Sequence, residues 1–237
     1  SLGRLEDAWI LASESCAFDI LDAEYTGEVS PGQICIASGE GLETIQFSEP
    51  ARPLSKCIFE YIYFSRPDSR VFGENVDKVR RKIGRKLSQE SPAEADMVIS
   101  VPDSSNTIAL GYANQSGIPF ELGLIRNHYV GRTFIQPEQT TRDWDIKIKF
   151  NPVKGVLKNK RVVVVDDSIV RGSTMKKLVS MLRSAGASEI HLRIGSPLIT
   201  HSCYFGIDTP TRSELIASRY SLDQIREFLG VESLAYI

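Results

Sequence analysis

Residues 161–174 read RVVVVDDSIVRGST, and this run constrains the fold more than any other stretch of the chain. Residues 162–165 are four consecutive valines, the pattern of a strand buried on both faces. Asp166 and Asp167 follow at its end, and Ser168 to Thr174 form a short loop of hydroxyls and glycine ahead of a helix. Two carboxylates at a strand end suit a ribose diol or a metal ion. A loop of small residues opening a helix offers N–H groups and the positive end of a dipole to a phosphate. Taken together, the parts suit a sugar phosphate, with hydroxyls to the acids and phosphate to the loop.

Other readings of the same residues stay open. Acid pairs after a buried strand also occur in receiver domains and aspartyl-phosphate phosphatases, and the turn can be purely structural. The run is not a Walker loop, since it lacks Gly-Lys-Ser/Thr, and not a dinucleotide fingerprint, since the G-x-G-x-x-G spacing is missing. As a whole it resembles the phosphoribosyl pyrophosphate (PRPP) signature of type I phosphoribosyltransferases. The resemblance implies that Asp166 and Asp167 contact ribose hydroxyls and that Ser168, Arg171, Gly172, Ser173 and Thr174 hold the 5′-phosphate.

Three further stretches resemble glutamine PRPP amidotransferases: residues 57–69 (CIFEYIYFSRPDS), 101–104 (VPDS) and 126–137 (RNHYVGRTFIQP). The likeness runs over nearly the whole chain. It implies an enzyme that makes phosphoribosylamine, at the first committed step of purine synthesis, from PRPP and ammonia taken from glutamine. It also implies purine nucleotide inhibitors, a homo-oligomer and a cytoplasmic setting.

Composition fits this. The chain has 237 residues, 42% hydrophobic and 24% charged, as in an ordinary soluble protein. A net charge of −2 gives no basic footprint for nucleic acid, and no apolar run reaches membrane-span length or forms a leader. Cys16, Cys35, Cys57 and Cys203 are widely spaced and include no C-x-x-C pair, which reads as free thiols or metal ligands and not a disulfide frame.

The texture changes along the chain. Residues 8–12 and 34–37 look like short strands, with turn signals at Pro31-Gly32 and Gly39-Glu40-Gly41. This suggests a small antiparallel sheet, and it resembles the end of an N-terminal α+β glutaminase (Ntn-hydrolase) domain. The expected division is residues 1–55 for that remnant and 56–237 for the transferase. The family's N-terminal catalytic cysteine has no counterpart at Ser1, and Cys16 stands in a different context, so no glutamine hydrolysis is expected. From about residue 70 helix and strand alternate. Residues 74–88 place Val76, Val79, Ile83 and Leu87 on one helical face. Residues 97–101, 120–125, 161–165 and 189–194 read as strands, 105–116 and 175–184 as helices, with Gly186 as a helix stop. Such alternation predicts an α/β fold: a parallel twisted sheet flanked by helices, the type I phosphoribosyltransferase fold, with ligands beyond the carboxyl strand ends. Asp103 and Asp166 then lie on one edge.

By resemblance, Asp103, Ser104 and Ser105 form the pyrophosphate loop, and Ser104, Asp166 and Asp167 surround Mg2+. From the residues alone Asp103-Ser104 reads as a helix N-cap. Arg126, Tyr129 and Arg132 fall in a basic segment that is otherwise a solvated loop. The resemblance makes it the lid over PRPP and these three its catalytic residues, acting by charge, with no general base named. Residues 202–208 (SCYFGID) resemble the family branch that carries a [4Fe–4S] cluster. That likeness makes Cys57 and Cys203 a partial ligand set, completed by a C-terminal pair, so the full-length protein is expected to hold the cluster and this chain alone is not. The competing functional readings are a PRPP-binding regulator on the same fold and an inactive fragment.

Overall fold

The computed structural model describes residues 1–50, 52–128, 148–207, 209 and 211–237. These residues form two compact units, Ser1–Val79 and Arg80–Ile237.

In the first unit, β1 (Leu2–Leu5), β2 (Ala8–Leu11) and β3 (Glu24–Gly27) make an antiparallel sheet in the order β2-β1-β3. Helix α1 (Cys16–Ile20) buries Phe18 against it, and an added Cβ at Gly3 would meet the Phe18 ring at 2.6 Å. Strands β4 (Gln33–Ser38) and β5 (Gly41–Gln46) form a hairpin, with Ile34 opposite Ile45. The strands expected at 8–12 and 34–37 are both present. Glu14 and Ser15 tie down the PRPDSR stretch. Glu14 accepts from the Arg66 N–H and from Ser69 Oγ, each at 2.8 Å, and Ser15 Oγ accepts from the Arg70 N–H at 2.8 Å. A π-helical turn (Glu60–Phe64) precedes that stretch, and the short β6 (Arg70–Val71) and β7 (Glu74–Asn75) pair after it.

Most of α2 (Val76–Glu90) belongs to the second unit. The helix starts two residues later than its periodicity suggests because Glu74 and Asn75 are held in the β6–β7 pair. Next come β8 (Met97–Ser100) and α3 (Asn106–Ser116). Helices α2 and α3 approach closely at two glycines: a Cβ at Gly84 would lie 1.9 Å from the Ile108 carbonyl, and one at Gly111 2.3 Å from that of Arg81.

The strand expected at 120–125 is different in the structure. Phe120 makes a lone parallel bridge to Val98, and β9 (Leu124–Arg126) pairs antiparallel with β10 (Phe150–Pro152) instead. Gly123 lies between them, so near Ile99 that a Cβ would sit 2.7 Å from its side chain, and the chain turns there. Then follow α4 (Lys154–Leu157), β11 (Arg161–Asp166), α5 (Ser173–Ser184), β12 (Glu189–Ile194), α6 (Leu222–Leu229) and β13 (Ser233–Tyr236). The sheet runs β13-β12-β11-β8, and every pairing is parallel. This is the parallel sheet that the alternation of helix and strand predicts. Val162–Val165 are fully buried, as a central strand covered on both faces requires. Val162, Val164, Leu192 and Leu234 meet Leu178, Leu182, Ile225 and Leu229 in one core. Helix α5 begins at Ser173, two residues before the expected start, and ends as predicted: Gly186 has φ +103, with Gly186 and Ala187 N–H groups returned to Arg183 and Leu182 carbonyls.

Candidate functional site

Strand β11 delivers Asp166 and Asp167 to the carboxyl edge of the sheet, and the chain then turns into α5. The N-cap of α5 is Gly172, in the left-handed region at φ 79 and with no side chain to cap. The first-turn N–H groups of α5 therefore have no side-chain cap from it and remain for a ligand. An open cavity of about 530 Å3 lies over this turn, lined by Asp166, Ser168, Arg171, Gly172, Ser173 and Thr174, with Lys177 and Glu214. Six of the residues predicted for a sugar phosphate thus share one cavity.

Asp167 is buried, and three neighbours answer its carboxylate. Ser104 Oγ donates to Oδ2, Ser168 Oγ donates to Oδ1 at 2.6 Å, and the Arg80 guanidinium lies near. Burial still pushes its pKa up, against these three. Asp166 is half-buried, with its Oδ1 accepting the Asp167 N–H at 2.8 Å. Burial first, and the Asp167 charge second, push its pKa well above the usual carboxylate range. Two adjacent acids that both resist ionisation want a cation. Their oxygens, with the Ser104 hydroxyl, suit a hard ion that takes its remaining ligands from substrate and water. No group of three or more His, Cys, Asp or Glu side chains forms a complete protein cage among the described residues.

The structure joins VPDS to the acid pair through Ser104. It also joins Asp103 to Arg126: Nη1 donates to Oδ2 at 2.6 Å. The side chains of Asp103 and Ser104 therefore do not cap α3, whose N-cap, Ser105, makes no side-chain capping bond. Ser105 is fully buried and its Oγ donates to the Val101 carbonyl, so its hydroxyl braces the turn. Tyr129 and Arg132 lie outside the described residues. Cys57 is exposed and Cys203 half-buried, and all four cysteines are free thiols. Backbone N–H groups of Phe205, Ile207 and Gly206 hold the Cys203 thiol below its usual pKa.

Sequence reasoning passed over four groups here. Arg80 is buried, and its Nη1 donates to the Ser104 carbonyl at 3.2 Å. Its signal was legible, since it falls on the same helical stripe as Val76, Ile83 and Leu87. Tyr236 stands in register with Ile194 and Asp166 across three strands. Its hydroxyl has no hydrogen-bond partner among the described residues, and burial and the Asp166 charge push its pKa up. Lys177 lies on α5 and Glu214 on a 3-10 turn, Arg212–Glu214, and neither position carries a motif of its own. A second cleft, of about 510 Å3, lies at the opposite strand edge, where Arg161 is already held by Asp96 at 3.0 Å.

The chain is similar to known proteins over its whole length. It is 52% identical to an amidophosphoribosyltransferase of Bacillus subtilis over 237 residues, all of this chain and 50% of that protein. It is 53% identical over 234 residues to amidophosphoribosyltransferase 1, chloroplastic, of Arabidopsis thaliana, covering 99% of this chain and 41% of that one. The solved glutamine PRPP amidotransferase from B. subtilis, complexed with ADP and GMP, matches with a TM-score of 0.90 at 51% identity, over 100% of this chain and 52% of the other. The chain thus spans about half the length of the curated relatives it matches. The profile of the phosphoribosyl transferase domain covers residues 73–194, from just ahead of β7 to the end of β12, and so takes in the acid pair and the loop that follows it. On that match the chain belongs to the phosphoribosyl transferase domain family.

Proposed function

We propose that this chain is the phosphoribosyltransferase part of a glutamine amidophosphoribosyltransferase, residues 56–237, preceded by the end of a glutaminase-type domain, residues 1–55. Its reaction is attack of ammonia, derived from glutamine, on C1 of PRPP, giving phosphoribosylamine and pyrophosphate. The observation that carries this reading is the single cavity at the strand edge that gathers Asp166 and the whole of the predicted phosphate loop. Similarity to amidophosphoribosyltransferases over the whole of this chain, about half of their length, supports the choice of reaction over a regulatory role.

Each group has a task suited to its chemistry. Asp166 and Asp167 hold the ribose hydroxyls. The N–H groups of Ser173 and Thr174, their hydroxyls and Arg171 hold the 5′-phosphate at the helix start. Ser104, bonded to Asp167, links the acid pair to the turn that receives the diphosphate. Arg126, placed beside Asp103, brings positive charge to that turn. Mg2+, when bound by Asp166, Asp167 and Ser104, would supply charge that offsets the departing pyrophosphate. Ammonia is already a nucleophile, so no general base is assigned. Arg132 and Tyr129 are proposed to act on the same substrate from outside the described residues.

Cys57 and Cys203 are read as two thiolates of a [4Fe–4S] cluster, which needs four. The described residues do not by themselves make up such a set, and no step depends on it. Purine nucleotides are proposed as inhibitors, in keeping with the ADP and GMP bound to the B. subtilis protein. A homo-oligomer belongs to the same reading. Free cysteines fit a reducing compartment such as the cytoplasm, and no described helix is long and apolar enough to cross a membrane.

The deciding experiment is pyrophosphate release from PRPP with Mg2+ and ammonium, followed at alkaline pH where free ammonia is abundant. Ammonia-dependent release, lost in Asp166→Asn, is expected. PRPP binding without turnover in the intact protein would favour the regulatory reading.

A further inference from the structure

Glu214 lies far in sequence from the acid pair, yet it walls the same cavity as Arg171, Ser173 and Thr174. Its two oxygens have separate partners. Arg171 Nε donates to Oε2 at 2.8 Å, and Thr211 Oγ1 donates to Oε1 at 3.1 Å. Among the described residues the terminal Nη1 and Nη2 groups of Arg171 donate to no protein group. A carboxylate that takes only Nε leaves the fork of Nη1 and Nη2 for a planar or tetrahedral oxyanion.

The segment carrying Glu214 also grips the loop on either side of Arg171. The Ile216 N–H donates to the Val170 carbonyl at 3.0 Å. The Ile216 side chain fills the space above Gly172, where a Cβ would come 2.6 Å from its Cδ1. Residues 170, 171 and 172 are thus each met by one short segment. Its backbone is tied too, with the Glu214 N–H donating to the Thr211 carbonyl at 2.9 Å.

We infer that Glu214 is a positioning residue for the sugar-phosphate end of the site: it holds Arg171 by Nε so that the Nη groups face the 5′-phosphate. The inference rests on the proposed function. The contrary reading makes Glu214 a competitor that the phosphate must displace. Geometry favours positioning, because Thr211 anchors the carboxylate and the phosphate-binding fork of Arg171 is left open. The pair is exposed at 56% and 49%, so it adds little to stability by itself and its removal acts mainly on binding.

Calorimetry on the intact protein tests this with two probes, ribose 5-phosphate and pyrophosphate, each with Mg2+. Glu214→Ala should weaken ribose 5-phosphate by about three- to tenfold, the scale of losing one oriented charge-assisted contact, and leave pyrophosphate and the melting temperature unchanged. Glu214→Gln keeps an oxygen for Nε and should recover most of the loss. In an Arg171→Ala background Glu214→Ala should have no further effect. Tighter ribose 5-phosphate binding in Glu214→Ala would establish the competitor instead. Equal weakening of both probes, or an effect that persists without Arg171, would reduce Glu214 to general support of the loop. If the unaltered protein binds no ribose 5-phosphate, the proposed function itself fails; if it binds and Glu214→Ala changes nothing, only this inference does.

Discussion

Asp166 and Asp167 sit where two ionised carboxylates are least comfortable, next to each other at the mouth of a fully buried strand. Ser104, Ser168 and Arg80 relieve Asp167, but burial still raises both pKa values. A carboxyl whose folded pKa exceeds its unfolded one is neutral on stability at low pH. It costs stability as pH rises from the unfolded value, about 4, through the folded one. Asp166→Asn should therefore stabilise the empty protein at pH 7 by about 1 kcal/mol, the usual scale of one favourable change. The gain should shrink toward pH 4, and urea melts at the two pH values measure it. Equal gains at both would show that charge is not the cause. The same residues should matter in the opposite sense for ligand. Asp166→Asn combined with Asp167→Asn should weaken Mg2+-dependent PRPP binding by on the order of 1–3 kcal/mol, the scale of lost hydrogen bonds to charged groups; unchanged affinity by calorimetry rules the acid pair out of the site.

At the scale of elements, three strands of the parallel sheet were legible, and its edge strand β13 and the separate β9–β10 pair were not. Four valines in a row, Met97 to Ser100 and the alternation at 189–194 each announce strands, because buried parallel strands need continuous apolar surface. The short β9 and β10 pair across more than 20 intervening residues, and nothing local in 124–126 specifies a partner at 150–152. The α2–α3 contact was equally hidden. Gly84 and Gly111 look like weak points in their helices until the facing backbone is seen. Gly84→Ala thus tests packing against propensity. On helix propensity alone it should stabilise by up to about 1 kcal/mol. With a carbonyl 1.9 Å from the new Cβ it should instead destabilise by about 1–3 kcal/mol, the range for overpacking. A thermal melt that rises would show that the helices can part at no cost.

At the scale of the molecule, a buried cation closes the lower part of the second unit. Arg193 on β12 is 3% exposed and donates to the Ser91, Pro92 and Leu192 carbonyls and to Ser233 Oγ. It links the end of α2 to β12 and β13. Arg193→Ala leaves these acceptors in the interior without a donor and should cost on the order of 3 kcal/mol, seen as a lower urea midpoint with unchanged slope; a loss under about 0.5 kcal/mol, the level of an ordinary surface change, would mean that water replaces it. Cys203 poses the other question at this scale. If it ligates a cluster in a longer protein, Cys203→Ala made there should abolish the broad visible absorbance of iron–sulfur charge transfer, and retention of that absorbance removes Cys203 from the ligand set.

The sequence alone determined the parts that local chemistry dictates. Strand burial, the acid pair, the glycine-opened helix and the likeness to phosphoribosyltransferases all lie in contiguous residues, where hydrophobic period, turn chemistry and motif spacing can be read directly. Tertiary structure decided what depends on contacts between distant residues. It turned Ser104 toward Asp167 and Asp103 toward Arg126 instead of toward a helix cap, and it turned Ser105 inward. It also brought Arg80 to the Ser104 carbonyl, near Asp167, and Glu214 to Arg171. The physical reason is the same in each case. A hydroxyl, carboxylate or guanidinium bonds to whichever complementary group folding places within about 3 Å, and the intrinsic preference of a side chain does not name that group.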